Sequence, residues 1–346
     1  MNGVFHMAKI VFGVGTSHSP LLAMKPDQWP LRAEDDKKNP KHFYRGKTYT
    51  YDELVALRKD ENLRAQVAPQ VMRDRDFRNQ SHLNFLGEKI KEANLDLLVI
   101  FGDDQHEILL PDNSPAFMIY TGADIPFMPT SQERLDAMTP AIRLADWARH
   151  PEKPMTLKGD PDLARHIVRS VIKEDFDVAV SEKILPKPGA EDGVGHAYGF
   201  YYHRLLNDLK DVPHMKTLPI FINCFFPPNQ PTVKRVIEFG RAVGRAIRSW
   251  DKNMRVGIAA SGGFSHFVID EELDARLMEA VKTRDLLTLT SEPESSYQSG
   301  TSEIKNWIAT MAALEGTGLE FDLIDYIPCY RSEAGTGNAM AFALWK

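Results

Sequence analysis

LDLLVIFGDDQH (residues 95–106) joins an almost entirely apolar run to an abruptly polar end. A short apolar run of this kind predicts a strand that is buried on both faces. The preceding stretch HLNFLGEKIKEAN (residues 82–94) has the apolar spacing of an amphipathic helix. A helix that leads into a fully buried strand is typical of an α/β fold with a parallel sheet.

The same alternation continues on both sides of this stretch. Further strands are predicted at 8–14, 176–180, 217–223 and 254–261, and helices at 161–173, 201–209, 232–250, 270–282 and 303–314. We therefore expect one α/β domain over 8–346, with a central, mostly parallel sheet flanked by helices. Residues 25–75 are charged and aromatic, contain proline, and include a predicted helix at 51–59 capped by Thr50. We interpret this segment as a cap-like or lid-like insertion.

The bulk composition excludes several classes of protein. The net charge of −6 and the lack of a concentrated block of Lys and Arg argue against nucleic-acid binding. The N-terminus lacks the pattern of a secretory signal, and no apolar run is long enough to span a membrane, so we expect a cytoplasmic protein. Cys224 and Cys329 have no metal-binding spacing and are expected to be buried free thiols.

Three histidines each follow a predicted strand: His18, His106 and His266. In parallel α/β sheets, ligands bind beyond the carboxyl ends of the strands. The three histidines are therefore expected to meet in one crevice. The dinucleotide-binding, phosphate-loop and nucleophile-elbow motifs are absent, and so is the His-Glu-x-x-His motif of zinc hydrolases.

Six motifs together resemble those of a known family. They occur in the order GTSHSP (15–20), FGDDQH (101–106), GVGHAYG (193–199), FINCFFPP (221–228), ASGGFSH (260–266) and SGTSEIKNWI (299–308). The chain resembles the class III extradiol dioxygenases of the protocatechuate 4,5-dioxygenase β-subunit superfamily. This resemblance covers nearly the whole chain from Ala8, apart from the inserted segment. It implies a non-haem Fe(II) enzyme that opens a catechol-type ring with O2.

The resemblance also implies roles for individual residues. His18 and Glu303 match two iron ligands, and His266 matches the catalytic base. His196 matches a second active-site histidine, although Gly195 stands where the family usually has an acid. We predict that His106 is the remaining ligand, reached by a one-residue shift. An ungapped match would instead place Gln105 there, and Asp104 is the third alternative.

Two residues are candidates for binding the substrate. Tyr201 follows the GVGHAYG motif, and Arg331 lies in a polar segment from which its guanidinium could pair with a substrate carboxylate. The alternative is that Tyr201 belongs to the core and Arg331 to the surface. The insertion is similar to that of the 3-O-methylgallate-type members, which favours a carboxylated or methoxylated catechol.

The resemblance leaves other functions open. One is O2-dependent carbon–carbon cleavage of a non-catechol phenol, and another is a non-catalytic scaffold that binds a metal or a partner. The presence of both His196 and His266 favours an enzyme. Members of the family commonly assemble, so we expect a homo-oligomer.

Overall fold

The architecture described here is that of a computed structural model, which describes residues 7–346. The strands are β1 (Lys9–Thr16), β2 (His42–Tyr44), β3 (Lys47–Tyr49), β4 (Leu97–Gly102), β5 (Phe117–Tyr120), β6 (Asp124–Phe127), β7 (Met155–Lys158), β8 (Ala179–Ser181), β9 (Lys216–Ile222), β10 (Arg255–Ser261), β11 (His266–Val268), β12 (Phe321–Tyr330) and β13 (Thr336–Trp345). The helices are α1 (Trp29–Lys38), α2 (Tyr51–Leu57), α3 (Leu63–Gln66), α4 (Pro69–Glu92), α5 (Gln132–Ala137), α6 (Pro140–Ala145), α7 (Pro161–Ile172), α8 (His196–Phe200), α9 (Val233–Arg248), α10 (Glu271–Thr283), α11 (Leu286–Ser291) and α12 (Ile304–Ala313).

The centre of the fold is a parallel sheet in the order β1-β10-β4-β9. Every residue of β4 is buried, as expected for a strand covered on both faces. Two large apolar clusters fill the layers between the sheet and the helices on its two sides. The predicted α/β class with a central sheet flanked by helices is confirmed.

Antiparallel strands extend the sheet at both edges. On one side β13 pairs with β1, β11 and β12; on the other, β5 pairs antiparallel with β9 and parallel with β8. The polar segment that contains Arg331 connects β12 to β13, and the whole of β13 is buried. Its glycine- and alanine-rich sequence has low strand propensity, and only pairing and burial make it a strand.

The helix before β4 is much longer than its sequence pattern indicates. It begins at Pro69 and includes the end of the segment assigned to the insertion. The helix predicted at 201–209 instead begins at His196 as α8 and continues as a π-helical stretch, Tyr201–Leu205. Within residues 7–346, no helix has both the length and the apolar character needed to cross a membrane.

The segment 25–75 packs against the edge of the sheet through a buried and a partly exposed ion pair. Asp36 of α1 accepts hydrogen bonds from Arg331 Nε (2.7 Å), Arg331 Nη2 (2.9 Å) and Thr336 Oγ1 (2.6 Å). Arg45, in the turn of the β2–β3 hairpin, pairs with both carboxylate oxygens of Asp270 at the start of α10. These contacts hold α1 and the hairpin over the carboxyl ends of the central strands.

Candidate active site

The ends of the three central strands carry the residues of one buried cluster. His18 lies just beyond β1, Asp103 directly follows β4, and the loop after β10 leads to His266. His196 is the first residue of α8, and Glu303 immediately precedes α12. All five side chains are buried. Parallel strands end at the same edge of the sheet, which is why residues so distant in sequence meet there.

His18, His196 and Asp103 form the centre of the cluster. The Nε2 atoms of the two histidines are 3.1 Å apart. The two carboxylate oxygens of Asp103 lie 4.0 Å from them, Oδ1 near His18 and Oδ2 near His196. Potential ligand atoms of all three residues lie within 4.8 Å of one another, which is compatible with a single bound cation.

Asp103 has no partner for either carboxylate oxygen among the described residues, although both oxygens are buried. Burial raises the pKa of Asp103 to about 8, and the nearby charge of Glu303 adds to this effect. A buried carboxylate without hydrogen bonds is unfavourable unless a cation or a proton compensates it. These observations fit a metal ligand.

Glu303 lies beside this centre and links it to His266. Its Oε2 is 3.4 Å from His18 Nε2 and accepts a 2.8 Å hydrogen bond from the backbone N–H of Gly263. Its Oε1 is 3.1 Å from His266 Nε2. Burial alone would raise the pKa of Glu303, but the charges of His266 and His18 and their hydrogen bonds hold it well below its usual value.

Glu107 orients the imidazole of His196 through the Nδ1 atom, which is turned away from the cluster. Its Oε1 and Oε2 both lie 2.8 Å from His196 Nδ1, and Oε1 also accepts a 2.9 Å bond from the His196 backbone N–H. Burial would raise the pKa of Glu107, but His196 lowers it to about 2. A carboxylate on Nδ1 directs Nε2 toward the cluster, as in the carboxylate–histidine–metal triads of many enzymes.

Gly195 makes this arrangement possible. A Cβ atom at this position would overlap the carboxylate of Glu107. The resemblance would place an acid at position 195, next to His196. In this chain Glu107, from the loop after β4, contacts His196 instead.

His18 is oriented in a similar way by a hydroxyl. Its Nδ1 lies 2.9 Å from Ser261 Oγ, which donates a 2.6 Å hydrogen bond to the carbonyl of Ala197. The end of β10 is fixed in turn by Asn306, whose Nδ2 donates to Ser261 O, and by Trp307, whose Nε1 donates to Gly262 O. The EIKNW sequence thus supports the site from α12.

His266 has one ring nitrogen occupied and the other directed at the cluster. Its Nδ1 lies 2.6 Å from the carbonyl oxygen of Phe264, which can only accept. The proton is therefore held on Nδ1, and Nε2 is the atom that can gain or lose a proton. Burial lowers the pKa of His266, but Glu303 outweighs this effect and raises it above the usual histidine value.

Comparison with known proteins identifies the family of the chain. The family described as the catalytic LigB subunit of aromatic ring-opening dioxygenase matches residues 67–331. The chain belongs to the LigB family. The match includes the positions of Asp103, His196, His266 and Glu303, whereas His18 lies before it.

Curated relatives in this family carry dioxygenase names. A 2,3-dihydroxyphenylpropionate/2,3-dihydroxicinnamic acid 1,2-dioxygenase from Photorhabdus laumondii is 29% identical over 183 residues, which cover 52% of this chain and 46% of the relative. A gallate dioxygenase from Pseudomonas putida is 26% identical over 180 residues, 50% of this chain and 46% of the relative. The matches thus span about half the length of these relatives. An uncharacterised Escherichia coli protein of known structure aligns with a TM-score of 0.43 and 11% identity, over 75% of this chain and 91% of its own.

The buried cluster does not include His106, which was predicted to be a ligand. This residue has a positive φ of 60°, stacks on Phe226 with ring centroids 3.5 Å apart, and has Nδ1 2.8 Å from the carbonyl of Leu109. The turn after β4 therefore directs His106 away from His18.

The two alternatives for the same ligand do not join the cluster either. The Asp104 carboxylate accepts the backbone N–H groups of Glu107, Ile108 and Leu109, so it stabilises its own loop. Gln105 lines the neighbouring cavity but is exposed, whereas the clustered side chains are buried. Asp103 lies there instead. Its signal in the sequence is that it is the first polar residue after the buried strand.

The structure places both predicted substrate contacts elsewhere. Tyr201 is fully buried, and its hydroxyl donates a 2.9 Å bond to the carbonyl of Ala260, so it is a core residue. Arg331 is buried and bound to Asp36, and its Nη1 donates to Asn338 Oδ1 at 2.8 Å. The carboxylate of Asp36 already occupies the guanidinium that was expected to bind the substrate.

Proposed function

We propose that this chain is the catalytic core of a non-haem Fe(II) extradiol dioxygenase that opens the ring of a catechol-type aromatic with O2. Membership of the LigB family supports the reaction class. The single observation that carries the metal assignment is the buried, unpartnered carboxylate of Asp103 facing two histidine Nε2 atoms.

The residues present fit Fe(II). We assign the ligands as His18, His196 and Asp103, which make up two imidazoles and one carboxylate, the set used by non-haem iron oxygenases. Glu303 is close enough to His18 to serve as a further or alternative carboxylate ligand. His106 is not retained in this set, because its ring is held against Phe226.

Each of the surrounding residues has a separate task. When bound, Fe(II) supplies a redox-active Lewis acid suited to a vicinal diol and O2. Glu107 and Ser261 hold the imidazoles of His196 and His18 in the required orientation. The cavity beside the cluster holds the aromatic ring against His266.

His266 is proposed as the acid–base residue. Because Phe264 O fixes the proton on Nδ1, a ring hydroxyl of the substrate can transfer its proton to Nε2. Glu303 Oε1, 3.1 Å away, stabilises the resulting imidazolium and keeps the proton available for return to the product. His196 is the second histidine beside the cavity, and we propose that it acts as a ligand.

The metal assignment is tested with two matched histidine variants. Protein purified anaerobically and loaded with Fe(II) should bind about one iron per chain. His196→Gln should lose most of this iron, whereas His106→Gln, changed four residues after β4 in the loop that also supplies Asp103 and Glu107, should retain it. Iron retained by His196→Gln and lost by His106→Gln would reverse the ligand assignment.

The reaction is tested by O2 uptake with protocatechuate, gallate, 3-O-methylgallate and 2,3-dihydroxyphenylpropionate. We expect substrate-dependent uptake together with the absorbance of a ring-opened product. Stoichiometric iron with no uptake on any of these diols would exclude the proposed activity on catechols and favour a phenol substrate or a non-catalytic role.

A further inference from the structure

A cavity of about 260 Å³ lies against the candidate metal cluster. Its lining includes His18, His196, His266 and Glu303. For comparison, a cavity of about 150 Å³ in another protein accommodates benzene. The space is therefore large enough for a single aromatic ring with a short substituent.

The lining of the same cavity also contains two arginines, Arg32 and Arg149, and Ile142 of α6. Arg32 comes from α1 of the inserted segment, and Arg149 comes four residues after the end of α6. Neither residue stood out in the sequence. Ring-binding cavities are mostly apolar with a few well-placed polar groups, so two cations in one small cavity indicate an anionic ligand.

Arg149 has no direct partner in the part of the chain that the structure describes. Its Nη2 is buried without a hydrogen bond. Burial lowers the pKa of Arg149. Four acids raise it through their charges, although none of them forms a hydrogen bond to the guanidinium: Glu107, Asp146, Glu191 and Glu303. A buried guanidinium remains charged, and an unsatisfied charged donor is costly. An anion in the cavity would remove this cost.

Arg32 is held in place by an ion pair with Asp35 that uses only part of its guanidinium. Its Nη1 donates a 2.9 Å bond to Asp35 Oδ2, and the same oxygen accepts a 2.8 Å bond from Thr139 at the start of α6. Its Nε is buried without a partner among residues 7–346. Asp35 thus fixes the orientation of Arg32 between α1 and α6 and leaves part of the guanidinium free to donate.

We propose that Arg149, assisted by Arg32, binds an ionised carboxylate on the aromatic substrate and so determines which diols are accepted. The inference rests on the proposed function, because it assigns a binding partner to one substituent of the proposed substrate. The carboxylate would pair with a planar guanidinium, which is suited to two parallel N–H···O bonds. Arg331, which is bound to Asp36, takes no part in this contact.

A different role for Arg149 would be to balance the charge of the surrounding acids. Such a role would affect every substrate equally, because it would act on the site and not on the ligand. Binding of a carboxylate affects only substrates that carry one. The two roles are therefore separated by comparing charged and neutral diols.

The first experiment compares 2,3-dihydroxyphenylpropionate with 3-methylcatechol on Fe(II)-loaded protein. In Arg149→Gln, kcat/KM for the charged diol should fall by about 10- to 100-fold, the loss expected for hydrogen bonds to a charged group. The value for the neutral diol should change by less than about threefold, and Arg149→Lys should recover part of the loss. Arg143→Gln, an exposed arginine of α6 paired with Asp136, is the control and should match the wild type. An equal loss for both diols would overturn the proposal.

The second experiment separates this inference from the ring-opening activity. Calorimetric titration of the protein with 3-phenylpropionate, which lacks the diol, should show binding that is lost in Arg149→Gln, and the neutral amide should bind neither protein. If no diol is cleaved but this Arg149-dependent binding is found, the anion site stands without the proposed reaction. If diols are cleaved but the acid binds no better than the amide and is insensitive to Arg149, the anion site is excluded.

Discussion

At the scale of single residues, Glu107 supplies the carboxylate beside His196, and Gly195 leaves the space for it. The acid that orients His196 comes from the loop after β4, and the residue before His196 is a glycine whose missing side chain leaves room for that acid. The departure from the family pattern at Gly195 therefore does not remove the supporting carboxylate. It moves the carboxylate to another segment, which sequence alone could not reveal.

Glu107→Gln should weaken Fe(II) binding by about 10- to 100-fold, the usual effect of removing a carboxylate that orients a ligand histidine. The substitution keeps the size of the side chain but removes its charge from His196 Nδ1. Iron affinity is measured by competition with a chelator. Glu133→Gln, at an exposed position of α5, is the control, and an unchanged affinity in Glu107→Gln would show that His196 needs no such support.

His266→Ala should leave iron binding intact but lower kcat by about 10²- to 10⁴-fold, the range of a lost acid–base group. The reason is that its Nε2 lies 3.1 Å from Glu303 Oε1 in the cluster, and no other histidine of the cluster has Nδ1 fixed on a carbonyl. Steady-state O2 uptake and iron content are measured on the same preparation. Loss of iron together with activity would make His266 a metal-binding residue instead.

At the scale of elements, α1 is attached to the end of the sheet by one buried ion pair. Asp36 and Arg331 join α1 to the turn between β12 and β13, and Thr336 adds a third hydrogen bond. Since α1 also carries Arg32 into the cavity, this ion pair links the inserted segment to the candidate substrate site.

Asp36→Asn should lower the free energy of unfolding by about 3–5 kcal/mol, because it leaves Arg331 buried without its charge partner. Urea unfolding measures this change. Glu34→Gln, on the exposed side of the same helix, should change stability by less than about 0.5 kcal/mol. Similar stability of Asp36→Asn and the wild type would mean that α1 is held by its apolar contacts alone.

The Asp36–Arg331 ion pair should also make the free energy of unfolding depend on pH. Burial raises the pKa of Asp36, but Arg331 outweighs this effect and holds it below its usual value of 3.8. An acid with a lowered pKa in the folded state stabilises the fold fully above its unfolded pKa and loses this contribution as pH falls through the folded value. The difference in stability between wild type and Asp36→Asn should therefore be constant at neutral pH and shrink below about pH 3.8. A difference that grew in acid would contradict this assignment.

At the scale of the whole molecule, the metal cluster connects distant parts of the chain. His18, Asp103 and His196 come from the ends of β1 and β4 and from the start of α8, and Glu303 comes from the start of α12. A cation that binds only when these segments are folded together must stabilise the folded state. Stability and metal binding are therefore coupled.

Fe(II) at 100 times its dissociation constant should add about 2.7 kcal/mol to the free energy of unfolding and raise Tm. Thermal unfolding under anaerobic conditions, with and without a chelator, measures the effect. Asp103→Asn should show little or no rise in Tm at the same iron concentration. A rise equal to that of the wild type would remove Asp103 from the ligand set.

The sequence by itself indicated the α/β class, most of the central strands, and four of the five clustered side chains in or beside the site. The reason is that buried parallel strands have a strong apolar pattern, and residues that directly follow them lie at the ligand-binding edge. This argument identified His18 and His266 from the strand pattern. Glu303 and His196 came from the resemblance to the family, which gave His196 as a second active-site histidine and not as a metal ligand. The two buried free cysteines were also correctly expected.

The tertiary structure alone decided which residue after β4 enters the cluster and what surrounds it. Asp103, Asp104, Gln105 and His106 are consecutive, and the backbone turn sends one to the histidines and another onto Phe226. Partners such as Glu107 for His196 and Asp36 for Arg331 lie 89 and 295 residues apart, and no local pattern encodes such pairs. Local sequence specifies strands and their ends, whereas side-chain direction and long-range charge pairing depend on how the whole chain packs.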